Sequence, residues 1–250
     1  MIDKAKGLLI DWDGCLVVNA KLQPGALDFL ASHRERIAIV SNNSTHLPED
    51  LARILSKHGI AFAADRIMLA GCETIRRAVE LKPRRVMILG DPRLRAMAQT
   101  LGLNSVRDDP DLVILLRDVR FGYARLQRAA NALAGGARLL VANADVSHPG
   151  IHGSFIPETG ALLAALTACA PMARTRLEVL GKPGPTLYRR ACAVLGVAAH
   201  EAVMIGDNPD TDVAGAEAIG MSAVLVGPKA GFGLDALIPE YATFALVRSV

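Results

Sequence analysis

The stretch GLLIDWDG at residues 7–14 decides which fold this chain can adopt. Its first four residues are apolar, and the carboxylates of Asp11 and Asp13 follow at once. A short, continuously apolar run is typical of a strand that is covered on both faces of a parallel sheet. Since side chains two residues apart in an extended chain point to the same side, both carboxylates would face one site. Taken alone, the fragment would fit a surface turn of the Asp-x-Asp-Gly type equally well.

Two further polar stretches follow apolar runs in the same way. SNNS at residues 41–44 comes directly after IAIV at 37–40, and GDNPDTD at 206–212 comes after AVMI at 202–205. Ligands of open α/β sheets bind at the carboxyl ends of the strands, so we expect these stretches to meet. The last stretch holds three carboxylates within six residues, which suits a hard cation held by oxygen ligands. Together the stretches predict a divalent metal site that holds a phosphate.

Each remaining candidate has a plainer alternative. Lys182 lies between a glycine and a proline and could offset the charge of a phosphoryl group, but a lone lysine is more often a surface residue. Ser41 and Asn42 supply neutral hydrogen-bond donors, although such residues often form an ordinary turn or a helix cap. Asp212 could cap a helix over residues 212–219, a role that is compatible with one at the metal site.

Apolar runs alternate with helical patterns along most of the chain. Further buried strands are predicted at residues 86–89, 112–116, 139–142 and 223–226, and helices at 48–58, 93–101 and 185–195. These helices have a proline near the start and a glycine just past the end, as helix boundaries commonly do. The alternation predicts an α/β fold with a Rossmann-like, doubly wound parallel sheet.

The middle of the chain has strand and helix patterns of its own but few of the candidate groups. We therefore expect an α/β domain, residues 71–180, to be inserted into a catalytic core formed by residues 1–70 and 181–250.

Composition excludes several classes of function. The chain has 250 residues, a formal net charge of +3 and scattered Lys and Arg residues, so no nucleic-acid-binding track is indicated. Its four cysteines form no CxxC pair, and the apolar run before Asp11 is too short for a signal peptide. No apolar stretch is long enough to span a bilayer. We expect a cytoplasmic protein with reduced thiols and no membrane partner.

In their order and spacing, the stretches at 11–14, 41–44, 181–183 and 206–212 resemble the four motifs of the haloacid dehalogenase superfamily of phosphotransferases. The inserted region resembles the larger, C2-type cap of that superfamily. The most similar subgroup, subfamily IIA, contains the N-acetylglucosamine-operon phosphatase, the 4-nitrophenylphosphatases and the pyridoxal phosphatases. Besides the second and third motifs, the stretch ANAD at 142–145, followed by Pro149, supports that choice. The similarity extends over essentially the whole chain.

The resemblance implies a chemical role for each acidic candidate. Asp11 would attack phosphorus and form an aspartyl-phosphate, and Asp13 would protonate the leaving alcohol and later activate water. Mg²⁺ would be the cofactor, held by Asp11, the main-chain oxygen of Asp13 and the side chain of Asp207. Asp212 would orient metal-bound water from outside the ligand set.

The resemblance also implies how a substrate is bound. Ser41, Asn42 and Lys182 would bind the oxygens of the transferring phosphoryl group. Asn143 and Asp145, in the cap, would face the rest of the substrate, although alanine stands between them where the family commonly has proline.

Three other residues are singled out without a catalytic role. Trp12 stands between the aspartates where a smaller aliphatic residue is usual, and it could shape the cap interface or simply pack. His148 and His152 could touch the substrate or be ordinary loop histidines.

The leading hypothesis is a Mg²⁺-dependent phosphatase acting on a small phosphorylated metabolite. The alternatives are a phosphotransferase or mutase and, less in keeping with the intact motifs, a silent binding protein on the same scaffold. Sugar phosphates, nucleoside monophosphates, pyridoxal phosphate and phosphoglycolate all fit as substrates. The resemblance further implies a homodimer formed through the cap.

Overall fold

The structure, a computed structural model, describes residues 1–150 and 154–238 of the chain. Its two larger sheets consist of parallel strands, with helices between these strands along the chain. The chain divides into two units. The first comprises Met1–Ser41, Pro48–Met68 and the residues from Lys182 onward. The second comprises Asn42–Leu47 and Leu69–Gly181.

The strands are β1 (Gly7–Ile10), β2 (Val17–Val18), β3 (Lys21–Leu22), β4 (Ile37–Ser41), β5 (Ile67–Leu69), β6 (Val86–Leu89), β7 (Leu112–Leu115), β8 (Arg138–Val141), β9 (Ser147–Pro149), β10 (Phe155–Pro157), β11 (Leu177–Val179), β12 (Ala202–Gly206) and β13 (Ser222–Leu225). The α-helices are α1 (Ala26–Ser32), α2 (Pro48–Lys57), α3 (Ala70–Leu81), α4 (Pro92–Thr100), α5 (Tyr123–Ala134), α6 (Thr159–Cys169), α7 (Thr186–Leu195) and α8 (Ala214–Glu217).

The sheet of the first unit has the strand order β13-β12-β1-β4-β5. Its central strand β1 pairs in parallel with β12, Leu9 opposite Met204, and with β4, Leu9 opposite Ala38. Leu8, Leu9 and Ile10 are fully buried, as expected of a strand covered on both faces. The carboxyl ends of β12, β1 and β4 therefore lie side by side at one edge of the sheet.

The second unit is built around a four-stranded parallel sheet of order β11-β8-β7-β6. Its core includes Val113, Leu115, Leu139 and Val141 from the two central strands, packed with apolar residues of α5 and α6. A short antiparallel hairpin, β9 with β10, follows the sheet strand β8. Both units thus show parallel sheets with helices, and the predicted α/β class is confirmed.

The named strand and helix predictions agree with the structure to within one residue at each end, with one exception. The helix predicted over residues 212–219 is wrong at both ends, since α8 begins at Ala214 and ends at Glu217. A π-helical turn, Pro209–Val213, precedes α8, and Asp212 lies inside that turn. The cap is Asn208, whose side chain accepts a hydrogen bond of 3.0 Å from the N–H of Asp210. Proline at the first position of the turn fixes this earlier start, because it has no N–H to be satisfied.

Membrane-spanning segments are absent from the described ranges: no helix within residues 1–150 and 154–238 is both long and apolar enough to cross a bilayer.

The central strand should contribute much of the stability of the first unit. We predict that Leu9→Ala lowers the free energy of unfolding by about 2–5 kcal/mol, because Leu9 is fully buried and its truncation leaves a cavity. Urea unfolding followed by the fluorescence of Trp12, the only tryptophan of the chain, measures this change within the same unit. Ile54→Ala, at an exposed position of α2, is the control and should change the free energy by less than about 1 kcal/mol. Equal losses in the two variants would contradict the placement of Leu9 in the core.

Candidate active site

Three neighbouring strands of the first unit end at the candidate site. Asp11 directly follows β1, Ser41 is the last residue of β4, and Asp207 directly follows β12. The N–H of Asp11 donates a hydrogen bond of 2.9 Å to the carbonyl of Ile205, which continues the pairing of β1 with β12. The strand ends are where the sequence predicted them, and the sheet order brings their side chains to one edge.

Lys182 is buried between two carboxylates. Its ammonium donates to Oδ1 of Asp11 at 2.7 Å and to Oδ1 of Asp212 at 2.6 Å. A third bond, of 3.3 Å, goes to the carbonyl of Val40, the residue before the last one of β4. Lys182 and its two carboxylate partners are at most 5% exposed, so this is a buried ion network and not a surface contact.

Asp11, Asp207 and Asp212 form a group that could hold a metal ion. Each offers a carboxylate oxygen, and these oxygens lie within 4.8 Å of one another. Lys182 forms ion pairs with two of the three carboxylates, so an excess of negative charge is left in the group, which a divalent cation would neutralise. Oxygen donors of this kind suit a hard cation such as Mg²⁺. The donor set therefore fits the predicted cofactor.

Two glycines make room for these carboxylates. A Cβ on Gly14 would collide with the carboxylate of Asp207, and a Cβ on Gly206 would collide with that of Asp212. Gly14 also has a positive φ of 94°, which side-chain-bearing residues rarely adopt. The close packing of the acidic groups thus depends on glycine in the turn after β1 and at the last residue of β12.

Burial and the mutual repulsion of the carboxylates dominate the electrostatics of the group. Burial raises the pKa of Asp11 well above its usual range, Lys182 opposes that rise, and Asp212 adds to it. Burial and the charge of Asp212 likewise raise the pKa of Asp207. Burial alone would lower the pKa of Lys182, but the carboxylates of Asp11 and Asp212 raise it above its ordinary value, which keeps the side chain an ammonium ion. A bound cation would favour ionised carboxylates here.

Asp13 differs from the other acidic residues because it is exposed. Its Oδ2 accepts a hydrogen bond of 3.3 Å from the hydroxyl of Ser41, which is buried. Asp13 can therefore exchange protons with solvent while one of its oxygens is oriented from the neighbouring strand end.

The structure adds Tyr188 to the surroundings of the site, a residue that the sequence reasoning missed. Its hydroxyl donates a hydrogen bond of 2.6 Å to the carbonyl of Thr211, inside the turn that carries Asp212. A Cβ on Gly215 would collide with this hydroxyl, so the contact is closely packed. The backbone N–H of Asn208 holds the other oxygen of Asp212, at 3.1 Å. The dipeptide Asn208-Pro209 was the available signal for this turn, since it commonly marks a turn or a helix start.

The remaining predicted residues lie in the second unit. Asn42 donates from its side-chain amide to Oδ2 of Asp145 at 3.0 Å. Asn143 is buried, donates to the carbonyl of Asn42 at 2.7 Å and accepts from the N–H of Asp145 at 3.2 Å. These three residues are thus brought together by direct hydrogen bonds within one unit.

The side chains without an assigned role have ordinary partners where they are described. His148 contacts Glu158 at 2.8 Å, and Arg117 contacts the same carboxylate at 3.2 Å. Burial raises the pKa of Glu158, and these two basic partners oppose the rise. Trp12 is only 4% exposed and packs in the first unit, whereas His152 lies outside the described residues.

A buried lysine amid strand-end carboxylates that can hold a divalent cation defines an enzyme of phosphoryl-group chemistry on an open α/β sheet. Family models agree: residues 8–104 match the haloacid dehalogenase-like hydrolase model, and residues 179–231 match a second, HAD-hydrolase-like one. The dihydroxyacetone phosphatase of Corynebacterium glutamicum is 31% identical over 93% of this chain and 84% of its own length. The chain belongs to the haloacid dehalogenase-like hydrolase family.

Solved structures support the same assignment. The 4-nitrophenylphosphatase of Thermotoga maritima superposes with a TM-score of 0.82 at 27% identity, covering 90% of this chain and 87% of that one. The glycerol phosphate phosphatase of Mycobacterium tuberculosis, solved in complex with magnesium, gives a TM-score of 0.80 at 30% identity, covering 90% of this chain and 68% of that one. The predicted family, its 4-nitrophenylphosphatase subgroup and the phosphatase class are confirmed, and the magnesium of the mycobacterial enzyme agrees with the predicted cofactor.

The buried ion network makes a specific prediction about stability. Lys182→Met should lower the free energy of unfolding by about 3–5 kcal/mol near pH 8, because it leaves buried carboxylates without their cation. The pKa of Asp11 in the folded variant then lies still further above its unfolded value. The folded state binds more protons than the unfolded state. The loss of unfolding free energy caused by Lys182→Met should therefore shrink as the pH falls towards about 5.

Urea unfolding in the presence of a metal chelator, followed by Trp12 fluorescence, measures this pH dependence. Lys57→Met removes an exposed lysine of α2 and should cost less than about 0.5 kcal/mol at either pH. A loss for Lys182→Met that stays constant or grows at low pH would contradict the network.

Proposed function

We propose that this phosphatase hydrolyses a small phosphomonoester in two steps, with Asp11 as nucleophile and Asp13 as general acid and base. The observation that carries the proposal is the buried ammonium of Lys182, 2.7 Å from Asp11 and 2.6 Å from Asp212, within a group of carboxylates. A carboxylate nucleophile and a phosphate dianion repel each other, so both need compensating positive charge. Lys182 supplies part of that charge.

In the first step, a carboxylate oxygen of Asp11 attacks phosphorus and forms a new P–O bond. The ester P–O bond breaks, and the leaving oxygen takes a proton from the carboxyl group of Asp13. The products are the free alcohol and an aspartyl-phosphate on Asp11. The exposed position of Asp13 supports this role, since the attacking water of the second step must reach this group from solvent.

In the second step, the carboxylate of Asp13 accepts a proton from water, and the resulting hydroxide attacks phosphorus. The P–O bond to Asp11 breaks, which regenerates its carboxylate and releases inorganic phosphate. The hydrogen bond from Ser41 to Oδ2 of Asp13 orients this group for both proton transfers.

Mg²⁺ would be held by Asp11, Asp207 and the main-chain oxygen of Asp13, and when bound it supplies charge neutralisation to the phosphoryl group. Asp212 supports the site from outside this set. Its two oxygens accept from Lys182 and from the N–H of Asn208, so that Asp212 fixes the position of the lysine.

The substrate is proposed from the binding groups and from the relatives. Ser41, Asn42 and Lys182 bind the phosphoryl oxygens, and Asn143 and Asp145 face the organic part of the substrate. The names of the relatives favour a short polyol or sugar phosphate, such as dihydroxyacetone phosphate or glycerol phosphate. A substrate with hydroxyl groups is consistent with the side chains of Asn143 and Asp145, because both can accept hydrogen bonds from hydroxyl groups.

Other parts of the hypothesis rest on the sequence and the resemblance alone. They are the domain bounds of 1–70 with 181–250 and of 71–180, a homodimer formed through the cap, and a cytoplasmic location. Limited proteolysis, sedimentation equilibrium and cell fractionation, respectively, test these three proposals.

Release of inorganic phosphate from a panel of phosphomonoesters tests the function directly. The panel contains dihydroxyacetone phosphate, glycerol 3-phosphate, a nucleoside 5′-monophosphate and 4-nitrophenyl phosphate, each with Mg²⁺ and with a chelator. We predict Mg²⁺-dependent release, with the highest kcat/KM among the natural esters for a three-carbon phosphate. Asp11→Asn should reduce kcat by roughly 10³-fold or more, because the amide is not a nucleophile.

The matched control is Asp210→Asn, which changes an exposed aspartate near Asp207 and Asp212 and should leave kcat within about twofold. Substantial phosphate release by Asp11→Asn would overturn the nucleophile assignment. Absence of release from every ester by the wild type would instead favour transfer to a second alcohol.

A separate prediction concerns Asp13. Asp13→Ala should lower kcat by about 10²- to 10⁴-fold with little change in KM, because it removes the proton donor and acceptor while leaving the phosphoryl-binding groups in place. Steady-state kinetics on the best ester measure both constants. An increase in KM at unchanged kcat would show that Asp13 binds substrate and does not transfer protons.

A further inference from the structure

The second unit contains a cavity of about 590 Å³ that the proposed reaction does not use. Residues of β6 line one part of it, including Met87 and Leu89, which are buried. The N–H of Val106 donates to the carbonyl of Val86 at 2.8 Å, which holds the following segment alongside this edge strand. Ser105, Val106 and Arg107 of that segment also line the cavity, and the remaining lining comes from α4 and α5. All of the lining residues belong to the second unit.

Four arginines line this cavity: Arg95 of α4, Arg107, and Arg125 and Arg128 of α5. Neither aspartate nor glutamate is among the described residues that line it. The cavity thus has four positive groups and no carboxylate of its own, whereas the whole chain has a formal net charge of only +3. Such a local excess of one sign attracts anions.

Among the residues that the structure describes, three of these arginines have no counter-charge. Arg125 forms an ion pair with the buried carboxylate of Asp118, which fixes its position. The guanidinium groups of Arg95, Arg107 and Arg128 make no ion pair or hydrogen bond with any other residue that the structure describes. Their donors are therefore available to a ligand.

The spacing of the arginines lets them act together. Arg125 and Arg128 are three residues apart in one helix and lie on the same face of it. Arg95 and Gln99 are four residues apart in α4 and share a face in the same way. Gln99 and Ser105 add neutral donors to the lining. Guanidinium groups bind phosphate with paired hydrogen bonds, so this lining suits more than one phosphate group.

We propose that this cavity binds a small organic anion that carries two phosphate groups and an apolar or planar part. The guanidinium groups bind the phosphates, and the β6 side of the cavity contacts the apolar part. The volume lies within the range of small-molecule sites, which is about 300–1,000 Å³. The site is separate in its residues from the carboxylate group of the first unit, and it requires no metal ion.

Isothermal titration calorimetry of the full chain with α,β-methylene adenosine diphosphate tests the proposal. A chelator is present, so that binding is measured without Mg²⁺ and without turnover. Methylenediphosphonate, which lacks the planar part, is titrated alongside. The wild type should bind the nucleotide analogue in a saturable manner and more tightly than methylenediphosphonate. Equal affinity for the two probes would overturn the assignment of the apolar side.

Two double variants with the same net charge locate the binding. Arg95→Gln with Arg128→Gln removes two cavity guanidinium groups and should weaken binding at least about tenfold. Arg84→Gln with Arg190→Gln removes two exposed arginines that do not line the cavity and should change the affinity by less than about twofold. Equal weakening in both, or no binding by the wild type, would overturn the proposal.

Circular dichroism establishes that each variant is folded before titration, and Arg128→Gln alone replaces the double variant if that one does not fold. The result does not depend on the proposed function. Loss of catalysis would appear in phosphate release, whereas loss of this site would appear only in the calorimetric affinity.

Discussion

The ion pairs of Lys182 are the interaction on which the candidate site depends. An ammonium group buried between Asp11 and Asp212 allows carboxylates to be packed at the end of a parallel sheet, where burial otherwise opposes their ionisation. One lysine does not balance three carboxylates. A divalent cation would neutralise the remaining negative charge. In the proposed reaction, the metal and the lysine together would permit a carboxylate to approach a phosphate dianion.

The backbone sets how closely these charges can approach. Parallel pairing of β12, β1 and β4 fixes the spacing of the strand ends, and Gly14 and Gly206 leave the space that the acidic side chains occupy. Tyr188 holds the turn that carries Asp212 through its bond to Thr211. The charged groups are therefore positioned by rigid elements before a substrate arrives, which is the arrangement that electrostatic catalysis requires.

The strand ends could be predicted from the sequence, because buried strands are short apolar runs and the polar motifs begin where those runs stop. The start of the last helix was misplaced, since a π-helical turn has no distinct apolar period and its Asn208 cap precedes the acidic residues. Helix α3 begins directly after β5 without a glycine or proline between them, so the sequence carries no residue that marks the start of this helix. Tyr188 was missed because its contact with Thr211 joins residues 23 positions apart, and local patterns do not contain such pairs.

The two proposed sites would bind anions by opposite means. In the first unit, carboxylates would bind a phosphate only with the help of a cation, so that the affinity would depend on the metal. In the second, arginines face a cavity without acidic lining and need no metal. Acidic groups are concentrated in the first unit and basic groups at the cavity of the second. The small net charge of the chain is therefore the sum of two local charge excesses of opposite sign. An anion that carries two phosphates would therefore favour the arginine-lined cavity when magnesium is scarce, while a monoester bound with magnesium would favour the carboxylate group.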